Sequence, residues 1–244
     1  MLTNVTSGMG VLSVMGRRSR ELLQSMTPDD LSNPAFPFAT SREIELAFAL
    51  VRASRITFVG ELGWELYVPT EFMAGVYDSL IENGEAVGLV HAGYHALNSL
   101  RMEKGYRHWG HDLSDEDTPL EAGLGFAVKF DKAGGFIGRD ALIRQKSAGL
   151  RKRLVQLQLH SAEPLLYHNE PIWREDSIVG FIRSGMYGHN LGSAIGLGYV
   201  STAADEASLS IESGNYEIEA AGVRYAARVS LRPLYDPSGA KIKL

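Results

Sequence analysis

The chain has 244 residues, 45% of them hydrophobic and 22% charged, which is ordinary for a folded globular protein of one large or two smaller domains. The net charge of −5, from 24 basic and 29 acidic residues, argues against a nucleic-acid partner, and no basic stripe interleaved with aromatics is present. Absence of cysteine removes disulfides, thiol catalysis and thiolate metal sites. No apolar run approaches the ~20 residues of a membrane span, and "MLTNVTSGMG" lacks the pattern of a signal peptide, so a soluble, cytoplasmic protein with no membrane partner is expected.

In chain order, Val11 to Met15 reads as a short strand, and "RRSRELLQSM" as a helix with Leu22, Leu23 and Met26 on one face. "TPDDLSNPAFPF", with three prolines, is loop. "EIELAFALV" and "SRITFV" each read as a strand, and after Gly60 and Gly63 comes the strand Trp64 to Val68. Thr70 is placed to N-cap a helix carrying Phe72, Met73, Val76, Tyr77, Leu80 and Ile81 on one stripe, with Gly84 as its stop. A second helix runs from about His91 to Lys104 and closes at Gly105. Strands and helices thus interleave in the first half, which predicts an α+β layer.

From about Leu154 the period changes. "LVQLQL", "SIVGFI", "SAIGLGYV", "ASLSIES", "YEIEA" and "VRYAARVSL" read as short strands, and together they predict an all-β barrel or sandwich. The polar "IRQKSAGLRKR" is the expected connector, dividing the chain into 1–148 and 149–244.

Glu65 is the sharpest single feature. Alternation puts Trp64, Leu66 and Val68 on one face of their strand and Glu65 with Tyr67 on the other. Either that second face is wet, or Glu65 lines a pocket. An ionised carboxylate only accepts hydrogen bonds, so its natural partner is a planar group with two adjacent N–H donors, such as a guanidinium or a pterin edge. Arg101 and Glu103 are suited to a helix-end ion pair. His108 and His111 lack a third ligand at metal spacing, and "DLSDEDTP" lacks the glycine of a calcium loop and reads as a solvated acidic turn. "RSGMYGHNLG" reads as a glycine-rich loop, either a plain turn or a lid. No dinucleotide fingerprint, P-loop or nucleophile elbow is present.

"GELGWELYVPTEF", "SLRMEKGYRHWGHDLSDEDTPLEAGLGFAVKF", "FIGRDAL", "SIVGFIRSGMYGHNLGSAIGLGYV" and "RPLYDP" resemble the tetrahydrofolate-binding aminomethyltransferase family, that of the glycine-cleavage T-protein. The resemblance is nearest to the C-terminal half of dimethylglycine and sarcosine dehydrogenases. It implies partial ferredoxin-like folate-binding layers followed by a C-terminal all-β barrel, with tetrahydrofolate as cofactor. It also implies transfer of a methylamine-derived one-carbon unit to give 5,10-methylenetetrahydrofolate. Glu65 takes the place of the pterin-binding glutamate, Phe58 that of a packing aromatic that is often tyrosine, and Arg101 that of a further substrate-binding candidate. Leu97 stands where T-proteins carry arginine, as in the dehydrogenase-type relatives. The family's catalytic aspartate lies upstream of the Val11 strand and has no counterpart here. The chain is therefore expected to be an incomplete unit without a catalytic residue of its own, partnered by an upstream flavin domain that holds FAD, or else a non-catalytic folate-binding or structural fragment. A cysteine motif of an iron–sulfur-assembly branch is missing from "GGFIGRDAL".

Overall fold

A computed structural model describes residues 1–204 and 206–244. They form two compact units, 1–97 with 238–244, and 98–237.

The first unit is built on a four-stranded antiparallel sheet in the order β1-β4-β3-β2: β1 (Met9–Met15), β2 (Ser41–Leu46), β3 (Ala49–Ser54) and β4 (Gly63–Pro69). The register pairs Leu12 with Leu66 and Val14 with Trp64, and Ala53 also lies opposite Leu66. These residues therefore share one face. Helix α1 (Ser19–Gln24) adds Leu22 and Leu23 to that face, and α2 (Met73–Gly84) adds Val76 and Leu80, closing a core around the fully buried Trp64.

Three local expectations are corrected here. "EIELAFALV" is not one strand but the hairpin β2–β3, turned at Ala47 and Phe48, both at positive φ (49° and 65°). "SRITFV" is largely loop. Only Ser54 remains in β3, and Arg55, next on the inner face, tucks its guanidinium inside to donate to the Phe36 carbonyl at 2.7 Å. Thr70 does not cap α2, since its hydroxyl donates to the Ser7 carbonyl and the helix opens with a 3-10 turn, Thr70–Phe72. Beyond Gly84 another 3-10 turn follows, and the left-handed residue that ends it is Gly88.

Helix α3 (Tyr94–Glu103) ends as read from sequence. Gly105 sits at φ +65°, its N–H donates to the Met102 carbonyl, and Tyr106 N–H donates to that of Arg101, a Schellman closure. In the second unit α4 (Arg139–Ala148) occupies the first part of the expected connector. The barrel then closes in the order β10-β5-β8-β7-β6-β9, with β9 pairing back to β10. Its strands are β5 (Lys152–Leu159), β6 (Pro171–Arg174), β7 (Ser177–Gly188), β8 (Ser193–Ser201), β9 (Tyr216–Ala220) and β10 (Val223–Ser230).

Two barrel segments differ from expectation. "ASLSIES" contains a short helix, α5 (Ser208–Glu212), in which Ile211 alone is buried. Most of "RSGMYGHNLG" is the end of β7, and only residues 189–192 turn. The class found is the one expected, α+β followed by a closed β-barrel. Among the described residues no helix is long and apolar enough to cross a membrane.

Candidate functional site

On the first unit's outer sheet face, Glu65 lies between Ser13 of β1 and Ser54 of β3, and Tyr67 between Val11 and Arg52. The surrounding positions, Val11, Ser13, Leu50 and Arg52, are exposed, whereas Glu65 and Tyr67 are half-buried. The Tyr67 hydroxyl donates to Glu65 Oε2 at 2.9 Å. That bond, with the carboxylate's charge, holds the Tyr67 phenol above its ordinary value. Among the described residues nothing in the protein donates to Oε1. The neighbouring pairs are satisfied among themselves, Ser54 to Ser41 at 2.9 Å and Arg52 to Glu43 at 3.0 Å. Among the described residues no guanidinium clamps Glu65. The carboxylate thus stands braced from one side with acceptor capacity left over.

Phe58 is half-buried in the loop 55–62. Thr57 Oγ1 accepts from the Val59 and Gly60 amides, and the Leu62 carbonyl accepts from Gly16 N–H and the Ser19 hydroxyl. The loop is therefore tied along its second half and at its exit into β4.

Arg101 stands in the second unit, 1% exposed, in an ion pair with the wholly buried Asp112. Its guanidinium also donates to Asn98 Oδ1 at 2.7 Å, the Tyr106 carbonyl at 3.0 Å and Ser184 Oγ at 3.3 Å. Asp112 Oδ2 further accepts from His108 N–H at 2.8 Å, so the pair fixes the loop after α3. Glu103, fully buried, accepts from the Asn190 amide and side chain and from Leu191 N–H, anchoring α3 to the β7–β8 turn.

The expectation of a solvated acidic turn at "DLSDEDTP" is overturned at two positions. Asp112 is buried against Arg101, and the Asp117 carboxylate is 1% exposed against Lys152. His108 and His111 form an edge-on ring pair at 4.7 Å. Reading residue by residue put Glu65 and Tyr67 on one face but missed the bond between them, for which spacing of two on a strand is the signal.

An α+β unit followed by a closed six-stranded barrel is the two-part architecture of the T-protein fold. Residues 1–132 match the GCVT N-terminal domain and 152–236 the glycine cleavage T-protein C-terminal barrel domain, and the chain belongs to this family. It is 43% identical to mouse (Mus musculus) mitochondrial sarcosine dehydrogenase over 244 residues, covering 99% of this chain and 26% of that protein. It is 36% identical to human (Homo sapiens) mitochondrial dimethylglycine dehydrogenase over 233 residues, 96% of this chain and 26% of that one. The chain thus spans about a quarter of the length of these curated relatives. The glycine cleavage system aminomethyltransferase T of Bartonella henselae shares its fold, with a TM-score of 0.78 at 22% identity over 94% of this chain and 60% of that one.

Proposed function

We propose that the chain is the tetrahydrofolate-binding module of a one-carbon (aminomethyl) transfer enzyme, acting beside a flavin domain of the kind found upstream in its dehydrogenase relatives. Residues 1–148 would hold the folate and 149–244 the barrel. The family binds tetrahydrofolate. The observation that carries the reading for this chain is Glu65: a half-buried carboxylate, fixed through Oε2 by Tyr67, with Oε1 unbonded within the described protein. A group offering two adjacent N–H donors fits that arrangement, since Oε2 keeps a second lone pair. Tetrahydrofolate, when bound, supplies the nucleophilic nitrogen that accepts the one-carbon unit and becomes 5,10-methylenetetrahydrofolate.

The chain's own residues bind and orient. Glu65 fixes the pterin edge, Tyr67 restricts the carboxylate to one rotamer, and Phe58 offers ring surface from a tied loop. Arg101 enters this proposal as a positioning residue, because its donors are engaged inside the second unit.

Charge-assisted hydrogen bonds contribute about 1.5–3 kcal/mol. Glu65→Gln, which trades an acceptor oxygen for a donor and removes the charge, should weaken tetrahydrofolate binding roughly 10- to 100-fold by calorimetry. Equal affinity in the two proteins would refute the anchoring role. Assaying the full chain with tetrahydrofolate and a methylamine donor separates a competent transferase from a folate-binding fragment that transfers nothing.

A further inference from the structure

Residues 238–244 follow the barrel in sequence yet belong to the first unit. Ile242 in this strap is buried. The Leu244 carbonyl accepts from Arg20 Nη2 at 2.6 Å and from Arg55 Nη2 at 2.9 Å, and Asn33 Nδ2 donates to the Lys243 carbonyl at 3.2 Å. Both guanidinium groups lie over the Trp64 ring, at 5.7 and 5.6 Å from its centroid.

Neither arginine pairs with an acidic side chain among the described residues. Two like charges thus sit together on a buried indole, held by the Leu31 and Phe36 carbonyls, the Asn33 side-chain oxygen and the Leu244 oxygen. Burial and, for Arg55, the neighbouring Arg20 charge both pull against the protonated forms. Arg55 is 1% exposed and its Nε already has no acceptor, so it has no bond to spare. The Leu244 oxygen bridges the pair. Without it a desolvated guanidinium would lose an acceptor, and the cost is met most readily by swinging Arg55 outward to water.

Arg55 is the first residue of the loop that carries Phe58, and Trp64 immediately precedes Glu65. We propose that the 238–244 strap, through Arg20, Arg55 and Trp64, sets the position of the Phe58 loop and the Glu65 strand, making Arg20 and Arg55 positioning residues for the site on the opposite face of the same sheet. Its effect on folate affinity rests on the folate reading above, whereas its effect on the loop does not.

The test compares the 244-residue chain with a form lacking 238–244, with Ile242→Asp, which lifts the strap by one side chain, and with Arg55→Lys, which keeps the charge but not the fork. Hydrogen exchange over residues 55–65 is measured alongside tetrahydrofolate affinity, well below each melting temperature. Removing or lifting the strap should speed exchange at residues 55–65 more than at the β2–β3 hairpin, and weaken tetrahydrofolate binding by about tenfold, the equivalent of one lost positioning bond. The synthetic peptide SGAKIKL, added to the shortened chain, should restore protection and affinity, and a scrambled peptide should not. Arg55→Lys should fall between. Unchanged exchange at 55–65 in both strap variants overturns the inference. So does wild-type affinity in those variants when Glu65→Gln has lost its own. If the wild-type chain binds no tetrahydrofolate, the folate reading fails, and the exchange data alone decide the strap.

Discussion

Arg101→Met tests what the second unit is built around. The substitution keeps much of the side-chain volume but leaves Asp112 as a carboxylate with no exposure and no ion-pair partner, only the more distant charge of Arg107, its Oδ1 already without a hydrogen-bond partner. Removing one partner of a buried ion pair costs about 3–5 kcal/mol, whereas replacing both by apolar groups is often close to neutral. In a protein of this size each kcal/mol moves Tm by roughly 2–4 °C. The single variant should therefore melt roughly 6–20 °C lower by calorimetry, with Asp112→Leu similarly affected. The double variant should recover most of the loss, giving a coupling energy of at least about 2 kcal/mol in the cycle. Additive losses, or an Arg101→Met protein as stable as wild type, would refute the clamp. A large fall in folate affinity at unchanged stability would instead return Arg101 to direct contact with the ligand.

Other perturbations follow from the same geometry. Burial pushes the Asp117 carboxyl up, but hydrogen bonds from Lys152 and Ser114 pull it further down, so its net position is below the usual carboxylate value. Its contribution to stability is complete above the unfolded value of about 4 and is lost as pH falls through the lower folded value. Lys152→Met leaves burial dominant, and the acid unfolding midpoint, followed by circular dichroism, should move to higher pH. An unmoved midpoint would show that Lys152 does not hold the carboxylate. Tyr67→Phe removes the brace on Glu65 while keeping the ring. It should cost about 1 kcal/mol of stability or less and weaken folate binding less than Glu65→Gln does, by urea titration and calorimetry respectively. Gly180→Ala would set a methyl group 1.8 Å from the Tyr199 carbonyl oxygen across the β7–β8 ladder. That overlap should cost at least about 1–3 kcal/mol in urea unfolding, and a smaller loss would mean the barrel wall yields there.

Much of this architecture was legible because burial imposes a period. Alternation in "YEIEA" marks a strand of a wall with one buried face, "LVQLQL" was legible as a strand although Leu154 to Leu157 are buried on both faces, and alternation put Trp64 and Glu65 on opposite sides of β4. The failures have equally local causes. The β2–β3 turn uses Ala47 and Phe48 at positive φ, residues that give no turn signal. Leu209 and Ile211 alternate like a strand in "ASLSIES", but only Ile211 is buried, and five residues of helix cannot show a 3.6 period. β6 was missed because Pro171 opens it and a bulge lies between Ile172 and Trp173. Glu65 stood out as an acidic residue inside an apolar run, whereas Asp112 looked like part of a wet turn. Its partner Arg101 is eleven residues away, and no period joins a helix end to a loop. The strap at 238–244 left no trace in periodicity, since its contacts are carbonyls meeting arginines far off in sequence.

β4 shows how one short strand serves two purposes. Its inner side carries Trp64, Leu66 and Val68 into the core, and Trp64 gives the two arginines a face on which to lie. Its outer side holds Glu65 between the hydroxyl-bearing neighbours Ser13 and Ser54, and Tyr67 between Val11 and Arg52. Because successive side chains are fixed to opposite faces of one backbone, a shift of Trp64 to refill space left by Arg55 must turn Glu65 with it. In the proposed pairing, a carboxylate that meets two donors at once tolerates little rotation, as bidentate pairing demands both oxygens in the plane of the partner. If the outer face binds tetrahydrofolate as proposed, the inner packing of this strand is a determinant of affinity there. Conservative changes at Trp64, such as Trp64→Phe, should therefore lower tetrahydrofolate affinity as well as stability, although the ring never reaches the ligand's side of the sheet. Calorimetry on Trp64→Phe that found stability reduced and affinity intact would break this link, and would leave Glu65 held by Tyr67 alone.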